Sequence, residues 1–225
     1  MSTTIHNYTA EAKPLYTCGL GLNINDAPKL DESFFVGRRD DLLFLKDALL
    51  PRSSTDHDQR IAIISGLGGM GKTQLAITFA QQNKSEYTTI VWLDANSETT
   101  LRQSIARFAV RLRPKSAESQ GSAQEQEEQR ISDFRAWLSD VENSKWLLIF
   151  DNHDNPKIGS QSNSDAYNVK QYFPHSAQGS ILITTRSSKL IYGKMLKLKT
   201  LNEDHSEQIL LLRSARSGAA GGLFS

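Results

Sequence analysis

Residues 66–73 of the chain, GLGGMGKT, combine glycine, lysine and threonine in a spacing that suits the binding of a phosphate chain. They match the pattern Gly-x-x-x-x-Gly-Lys-Ser/Thr at every fixed position. Glycines let a backbone turn tightly enough for its N–H groups to surround phosphate oxygens. In this pattern Lys72 reaches the β- and γ-phosphates, and the Thr73 hydroxyl is a ligand of Mg²⁺. The segment therefore predicts a mononucleotide site at the N-terminus of a helix, where the helix dipole favours an anion.

The same segment is compatible with a second kind of nucleotide site. Its glycines also satisfy the dinucleotide pattern Gly-x-Gly-x-x-Gly, and Asp94 ends the next predicted strand, where a dinucleotide fold places a ribose-binding acid. Because a dinucleotide fold has no use for Lys72 and Thr73, we favour the mononucleotide interpretation. A third interpretation is a purely structural glycine turn that binds no nucleotide. The residues then predicted to contact the nucleotide are Gly66, Leu67, Gly68, Gly69, Met70, Gly71, Lys72, Thr73 and Gln74.

An acidic residue follows another apolar run, WLLIF, at 146–150. This run predicts a buried strand that delivers Asp151 to the edge where open α/β sheets bind ligands. In a phosphate-loop protein such an acid holds Mg²⁺, directly or through water, opposite the threonine hydroxyl. Thr73 and Asp151 are therefore the predicted metal ligands.

The polar residues after Asp151 are candidates for orienting an attacking water. Asn152 can position water but cannot accept its proton, whereas Asp154 can act as a base if the turn curls back. The alternative for Asp154 and His153 is a solvated turn.

A guanidinium follows the strand predicted at 180–184, SILIT. Arg186 at that position can bind a γ-phosphate bidentately and distinguish a triphosphate from a diphosphate. The alternative is a surface arginine paired with a nearby acid. The residues predicted to take part in any hydrolysis are Lys72, Asp151, Asp154 and Arg186.

A parallel sheet is needed to bring these residues together. Short apolar runs predict strands buried on both faces, at 61–65, 89–93, 146–150, 180–184 and, more weakly, 195–198. Apolar residues at helical spacing predict helices near 39–49, after the glycine-rich loop, and at 101–112, 131–141 and 203–213. Strands that alternate with helices are typical of a layered α/β fold with right-handed crossovers.

Composition narrows the class of protein further. The 225 residues include 26 Lys and Arg against 25 Asp and Glu, a formal net charge of +1, so charge gives no case for nucleic acid or an anionic membrane as main partner. Cys18 is the single cysteine and cannot form an internal disulfide or a thiolate metal cage. No run approaches the ~20 apolar residues of a membrane span, and residues 1–10 lack the features of a signal peptide. We expect a cytoplasmic protein.

Three segments fall outside the alternation of strands and helices. Residues 1–32 are expected to form a flexible lead-in, and residues 217–225, which are small and glycine-rich, a flexible tail. The first half of 115–129 predicts a surface loop, and its acidic end predicts the start of the next helix. Residues 33–216 remain as a single domain.

Four segments in this order carry a resemblance to a known family: FVGR at 35–38, GLGGMGKT at 66–73, LLIFDN at 147–152 and GSILITTR at 179–186. Together they resemble the NB-ARC nucleotide-binding domain of the STAND class of signalling ATPases, found in plant resistance proteins and apoptotic scaffolds. WLDA at 92–95 and YFP at 172–174 are similar to filamentous-fungal members. The resemblance covers residues 33–216.

The resemblance implies a P-loop NTPase fold, a three-layer α/β sandwich with a five-stranded, mainly parallel sheet that binds ADP or ATP with Mg²⁺ as a switch. It assigns Val36 and Arg38 to the adenine, and Arg186 to sensing the phosphates. Asn152 departs from members that carry two acids at this point, so hydrolysis is expected to be slow or absent.

The family continues into helical and winged-helix subdomains, which supply a Gly-x-Pro loop against the base and an ADP-sensing histidine. Neither motif follows Arg216, and His205 is interpreted as a surface residue. We therefore expect the nucleotide-binding core of a longer, NLR-like protein of innate immunity. Its expected partners are adenine nucleotide and a second copy or other signalling proteins. A constitutive P-loop ATPase and a non-binding interaction fragment are the alternative functions.

Overall fold

The computed structural model describes residues 27–28, 35–51, 58–112, 121–158 and 165–220. Its centre is a sheet of five parallel strands in the order β2-β3-β4-β1-β5. The strands are β1 Arg60–Ser65, β2 Thr89–Asp94, β3 Trp146–Asp151, β4 Ser180–Thr185 and β5 Lys194–Lys197. The prediction of an α/β fold with a five-stranded parallel sheet is confirmed.

The helices cover both faces of the sheet. They are α1 Arg39–Leu49, α2 Lys72–Gln82, α3 Glu98–Ala109, α4 Ala123–Ser139 and α5 Glu203–Ala220. Side chains of α1 and α2 form one apolar core with one face of the strands, while α3 and α4 form a second core with the other face. This arrangement explains why the inner strands are continuous apolar runs, since each is buried on both sides. Among the described residues, no helix is long and apolar enough to span a membrane.

The order of the strands decides between the two kinds of nucleotide site. In a dinucleotide fold the first two strands are neighbours, with the order 3-2-1-4-5. Here β1 lies between β4 and β5, and β2 is at the opposite edge of the sheet from β5. Three strand spacings, roughly 14 Å in all, separate β1 from β2. Asp94 is therefore too far from the glycine-rich loop for the ribose-binding role, and the dinucleotide interpretation is wrong.

Helix boundaries follow local capping chemistry. Ser97 and Ser122 form capping boxes at the starts of α3 and α4, where each side chain accepts from the backbone N–H three residues on. The acidic end of segment 115–129 thus begins α4, as predicted. Helix α4 ends at Ser139, however, because Asp140 turns to an extended backbone conformation. Val141, predicted to lie on the buried face of this helix, is 82% exposed, so that prediction is wrong.

The ends of the chain differ in part from the prediction. Helix α5 was expected to stop near Arg213 but continues to Ala220, so the first four residues of the predicted flexible tail, 217–220, are helical. Residues 221–225, the lead-in apart from 27 and 28, and residues 115–120 of the predicted surface loop lie outside the described residues.

Candidate functional site

The glycine-rich loop leaves β1 at Gly66 and enters α2 at Lys72. Gly69 and Gly71 have φ angles of +76° and +86°, in the left-handed region that favours glycine. Gly71 is the N-cap of α2, and because glycine has no side chain it cannot accept a hydrogen bond from the first N–H groups of the helix. The first backbone N–H groups of α2 therefore face the loop without a side-chain cap, which is the arrangement that binds phosphate at a helix N-terminus.

The ammonium group of Lys72 lies within the loop that precedes it. Its Nζ donates hydrogen bonds to the carbonyl oxygens of Gly66 and Leu67, at 2.9 and 3.0 Å, and the residue is buried. Burial lowers the pKa of Lys72, an effect that the carboxylate of Asp154 opposes and the guanidinium of Arg186 reinforces. A phosphate chain in the loop would add negative charge and favour the ammonium form.

Asp151, the last residue of β3, is buried and accepts hydrogen bonds from two threonines. Thr73 Oγ1 donates to its Oδ1 at 2.9 Å, and Thr184 Oγ1 donates to the same oxygen at 2.6 Å. Burial raises the pKa of Asp151, while these hydrogen bonds oppose the rise. The two predicted metal ligands, Thr73 and Asp151, are thus in direct contact. Their hydroxyl and carboxylate oxygens are donors of the kind that Mg²⁺ prefers.

An ion pair joins the turns that follow β3 and β4. Nε of Arg186 lies 2.8 Å from Oδ2 of Asp154, and the backbone N–H of Arg186 donates to Oδ1 at 2.7 Å. The Arg186 side chain is 66% exposed, and its guanidinium carbon lies 3.8 Å from where a Cβ on Gly68 would stand. Arg186 is therefore beside the glycine-rich loop and at the same time holds both oxygens of a nearby acid.

Hydrogen bonds connect the backbone after β3 to the end of β4. Asn152 has a φ of +66°, and its N–H donates to Thr184 Oγ1 at 2.9 Å. The N–H of His153 donates to the Thr184 carbonyl, and its own carbonyl accepts from Thr185 Oγ1. The side chain of His153 is fully buried, so its interpretation as a solvated turn residue is wrong. Burial lowers the pKa of His153 to about 4, and the imidazole is neutral at physiological pH.

The segment before α1 is tied to the loop by Arg38. Its guanidinium donates to the carbonyl oxygens of Met70 and Lys199, at 3.0 and 2.8 Å, and pairs with Asp41. Val36, the other residue assigned to the adenine, is half-buried. Arg38 therefore fixes the position of residues 36–38 relative to the glycine-rich loop and the chain after β5.

Two contacts of the site were missed by the sequence reasoning. The ring of His205, at the start of α5, lies against Gly37: a Cβ added to Gly37 would be 2.4 Å from its Nδ1. His205 is only partly exposed, so describing it as a surface residue is incomplete. The second contact is the hydrogen bond from Thr184 to Asp151. The position of Thr184 near the end of a predicted strand, two residues before Arg186, was the signal that could have found it.

The predicted residues as a set converge on one edge of the sheet. Lys72 interacts electrostatically with Asp151, Asp154 and Arg186, and Gln74 Oε1 lies 3.4 Å from the Cβ position of Gly71. Among the described residues, no group of three His, Cys, Asp or Glu side chains could hold a metal alone. A Mg²⁺ ion on Thr73 and Asp151 would therefore take its remaining ligands from phosphate and water, as is usual for this ion. The residues present therefore fit both the phosphate chain of a nucleotide and a Mg²⁺ ion.

The parallel sheet with β1 between β4 and β5, the glycine-rich loop after β1, and the acid at the end of β3 together define a phosphate-loop NTPase fold. Within that class the chain belongs to the NB-ARC family, since the NB-ARC domain model matches residues 44–217.

Comparisons with individual proteins agree with this assignment. A nucleotide-binding leucine-rich repeat (NLR)-like protein of Hyaloscypha variabilis is 30% identical over 166 residues, which cover 70% of this chain and 16% of the relative. An RPP13-like protein of Arabidopsis thaliana, named for disease resistance, is 28% identical over 166 residues, which cover 72% of this chain and 14% of that relative. The chain thus spans about a sixth or less of the length of these relatives.

A solved structure shows the same fold at low sequence identity. The crystal structure of Cdc6p from Pyrobaculum aerophilum superimposes with a TM-score of 0.53 and 15% identity, over 83% of this chain and 54% of that one. At this identity the likeness concerns the fold alone.

Proposed function

We propose that the chain is a switch domain that binds ADP or ATP together with Mg²⁺. The observation that carries the proposal is the convergence of Lys72, Thr73, Asp151 and Arg186 on one glycine-rich loop. In this proposal Lys72 and the N–H groups at the start of α2 bind the phosphates. Thr73 and Asp151 hold the ion, which when bound neutralises phosphate charge. Residues Val36 and Arg38 lie beside the adenine.

The same geometry favours slow hydrolysis or none. A water that attacks the γ-phosphate needs a group to accept its proton. Asn152 carries an amide, and both carboxylate oxygens of Asp154 are engaged by Arg186. Asp151 already accepts from two threonines and would also hold the ion. Slow hydrolysis therefore rests on Asn152 and Asp151, because Asp154 would keep only the backbone N–H of Arg186 once the guanidinium binds a γ-phosphate.

The ion pair of Arg186 suggests how the two nucleotides would give different states. A γ-phosphate carries more negative charge than a carboxylate and accepts a guanidinium bidentately. With ATP bound, Arg186 would exchange Asp154 for the phosphate. With ADP bound, the pair with Asp154 would persist. The turns after β3 and β4 would then differ between the two states, and this difference is the proposed switch.

The wider role is proposed from the relatives. One is named as NLR-like and the other for disease resistance, so we propose that this domain serves a cytoplasmic signalling protein of innate immunity. A second copy of the chain and other signalling proteins are the proposed partners.

Calorimetric titration of the purified chain with ADP and with ATP, each with and without Mg²⁺, tests the proposal. We expect saturable binding of both nucleotides. Lys72→Ala removes a charge-assisted hydrogen bond worth roughly 1.5–3 kcal/mol, which corresponds to an affinity loss of about 10- to 150-fold. The matched control is Lys84→Ala, since Lys84 is exposed in a short helical turn after α2, and this variant should bind normally. Absence of binding by the wild-type chain would leave the non-binding fragment as the function.

Steady-state release of phosphate distinguishes the switch from a constitutive ATPase. The switch predicts turnover far below the typical 1–10³ s⁻¹ of enzymes. Sustained turnover in that range, lost in Asp151→Asn, would support the ATPase instead.

A further inference from the structure

A cavity of about 250 Å³ lies beside the turn that follows β3 and is lined by none of the residues proposed to bind the nucleotide. Its walls include the aromatic rings of Tyr167 and Tyr192 and the aliphatic side chain of Leu190, and the imidazole of His153 lines it. None of the loop residues 66–74 takes part. The cavity is therefore separate from the space proposed for the phosphates.

His153 is the unusual member of this cavity. The side chain is fully buried and packs edge-on against Tyr167, with ring centroids 4.8 Å apart. Neither Nδ1 nor Nε2 has a hydrogen-bond partner within the described residues. A neutral imidazole offers one donor and one acceptor, and buried polar groups of proteins almost always have partners. An aliphatic residue would fill the same place without this penalty. The unpaired imidazole is therefore a group that a polar ligand can satisfy if the ring, which has no exposed surface in this structure, turns toward the cavity.

The surface around the cavity shows what kind of ligand this is. Ile191 and Ile158 line it and are 96% and 39% exposed, so the apolar surface extends beyond the cavity. Small-molecule pockets usually measure roughly 300–1,000 Å³, and this cavity is smaller. It suits one inserted side chain, with neighbouring residues of the same ligand covering the exposed isoleucines. These features favour a peptide segment over a free small molecule.

The charges beside the cavity indicate the sign of that segment. Lys157 and Lys189 line it, and none of its lining residues in the described part of the chain is acidic. The Nζ of Lys170 lies 4.7 Å from the ring centroid of Tyr192. Positive charge therefore surrounds an apolar opening, and the complementary ligand carries carboxylates on either side of its inserted side chain.

We propose that this cavity is the docking site for an acidic segment of a partner protein, which inserts a tyrosine side chain. The tyrosine ring matches the aromatic walls, where edge-to-face packing is favoured. Its phenol group both donates and accepts a hydrogen bond, and it would pair with a nitrogen of His153 after the buried imidazole rotates toward the cavity. The flanking carboxylates pair with Lys157 and Lys189. The proposal does not depend on nucleotide binding.

The test uses the full chain and a fluorescent peptide, Asp-Glu-Tyr-Glu-Asp with blocked ends, in nucleotide-free buffer. Fluorescence anisotropy should show saturable binding, and the imidazole carbon-bound proton signals of His153 in NMR spectra should shift along the same isotherm. Replacing the peptide tyrosine by alanine, or its acids by lysine, should weaken binding about tenfold or more.

Two surface variants locate the site on the protein. Ile191→Ser and Lys189→Glu should each weaken binding about tenfold, while Val141→Ser and Lys84→Glu, exposed elsewhere, should not. All four positions are exposed, so circular dichroism should show an unchanged fold. No saturable binding up to about 1 mM peptide overturns the proposal. Equal binding by the alanine peptide, or by the Ile191→Ser variant, also overturns it.

Discussion

Arg186 pairs with Asp154 in this structure, and the same guanidinium is the group proposed to bind the γ-phosphate. The two roles compete, because the Nε that pairs with Oδ2 of Asp154 is one of the donors that a bidentate contact with a phosphate would use. The strength of the pair therefore sets how easily ATP recruits Arg186. Since Arg186 is two-thirds exposed, the pair is weak, in the range of roughly 0.2–1 kcal/mol measured for exposed ion pairs.

Asp154→Asn should raise the affinity for ATP relative to ADP. The amide lacks the charge that holds Arg186, so the guanidinium is released for the γ-phosphate. The ratio of the two affinities should increase about 1.4- to 5-fold, the equivalent of that exposed ion pair. Calorimetry with both nucleotides measures it.

The matched control combines Asp154→Asn with Arg186→Ala, because without the guanidinium the change at residue 154 should leave the ratio unaltered. If Asp154 were instead a general base, Asp154→Asn would remove turnover and leave the ratio of affinities as it was. That pattern would contradict the ion-pair interpretation.

Thr73→Val should remove the effect of Mg²⁺ on nucleotide affinity. Valine has the shape of threonine but no oxygen for the ion, and it also removes the hydrogen bond from Thr73 to Asp151. ADP affinity without Mg²⁺ should change little, while the gain in affinity on adding Mg²⁺ should fall at least several-fold. The measurement is the ADP dissociation constant at zero and saturating Mg²⁺.

A threonine on the same helix provides the control. The Oγ1 atom of Thr78 is buried without a hydrogen-bond partner in the described structure, so Thr78→Val should leave the Mg²⁺ effect intact. Equal loss of the Mg²⁺ effect in both variants would show that helix α2 had been disturbed in general and would remove the case for Thr73 as a ligand.

The motif residues of the site could be predicted from the sequence, because their chemistry is written in local spacing. Lys72 and Thr73 follow the glycines directly, and Asp151 and Arg186 each end an apolar run. The contacts that Thr184 and His205 make could not be predicted in this way. Their partners, Asp151 and Gly37, are 33 and 168 positions away along the chain, and only the fold brings them together.

At the scale of whole elements, burial decided which predictions succeeded. The inner strands were found because they are apolar along their whole length, whereas β5 is an edge strand with partly exposed residues and gave a weak signal. The helical spacing of apolar residues continued through Val141, yet α4 stops earlier. The stop is made by Asp140, whose side chain accepts the N–H of Glu142 in a local turn. Periodicity alone does not reveal such a cap.

The start of β4 depends on a glycine that approaches the core closely. Gly179 has a φ of +75°, and a Cβ there would lie 2.3 Å from the ring of Trp146, which is fully buried. Gly179→Ala should lower the free energy of unfolding by about 2–5 kcal/mol. Left-handed strain contributes roughly 1–2 kcal/mol and the steric clash roughly 1–3 kcal/mol. Urea denaturation of both proteins measures the change.

Gly69→Ala is the matched control, because Gly69 has nearly the same φ, +76°, but open space around its Cβ position. It should lose only the strain, roughly 1–2 kcal/mol. Equal losses in the two variants would mean that the contact with Trp146 adds nothing to the requirement for glycine.

At the scale of the whole molecule, the site exists only when the sheet is assembled. The loop follows β1, Asp151 ends β3 and Arg186 follows β4, and these strands are neighbours only through the order β3-β4-β1. The alternation of strands and helices predicted a parallel sheet but not this order, since right-handed crossovers are compatible with several orders. A ligand that contacts all three strand ends can bind only the folded chain.

Mg²⁺-ADP should therefore stabilise the entire fold against heat. A ligand that binds only the folded state at a hundred times its dissociation constant adds about 2.7 kcal/mol to the free energy of unfolding. For a chain of this size, 1 kcal/mol raises the melting temperature by roughly 2–4 °C, so an increase of about 5–10 °C is expected. Scanning calorimetry at a series of ADP concentrations measures it. Lys72→Ala should lose about half of the increase or more at the same concentrations, whereas Lys84→Ala should retain it. If wild type and Lys72→Ala shifted equally, ADP would be stabilising the chain from somewhere other than the glycine-rich loop, because only binding there depends on the buried ammonium group.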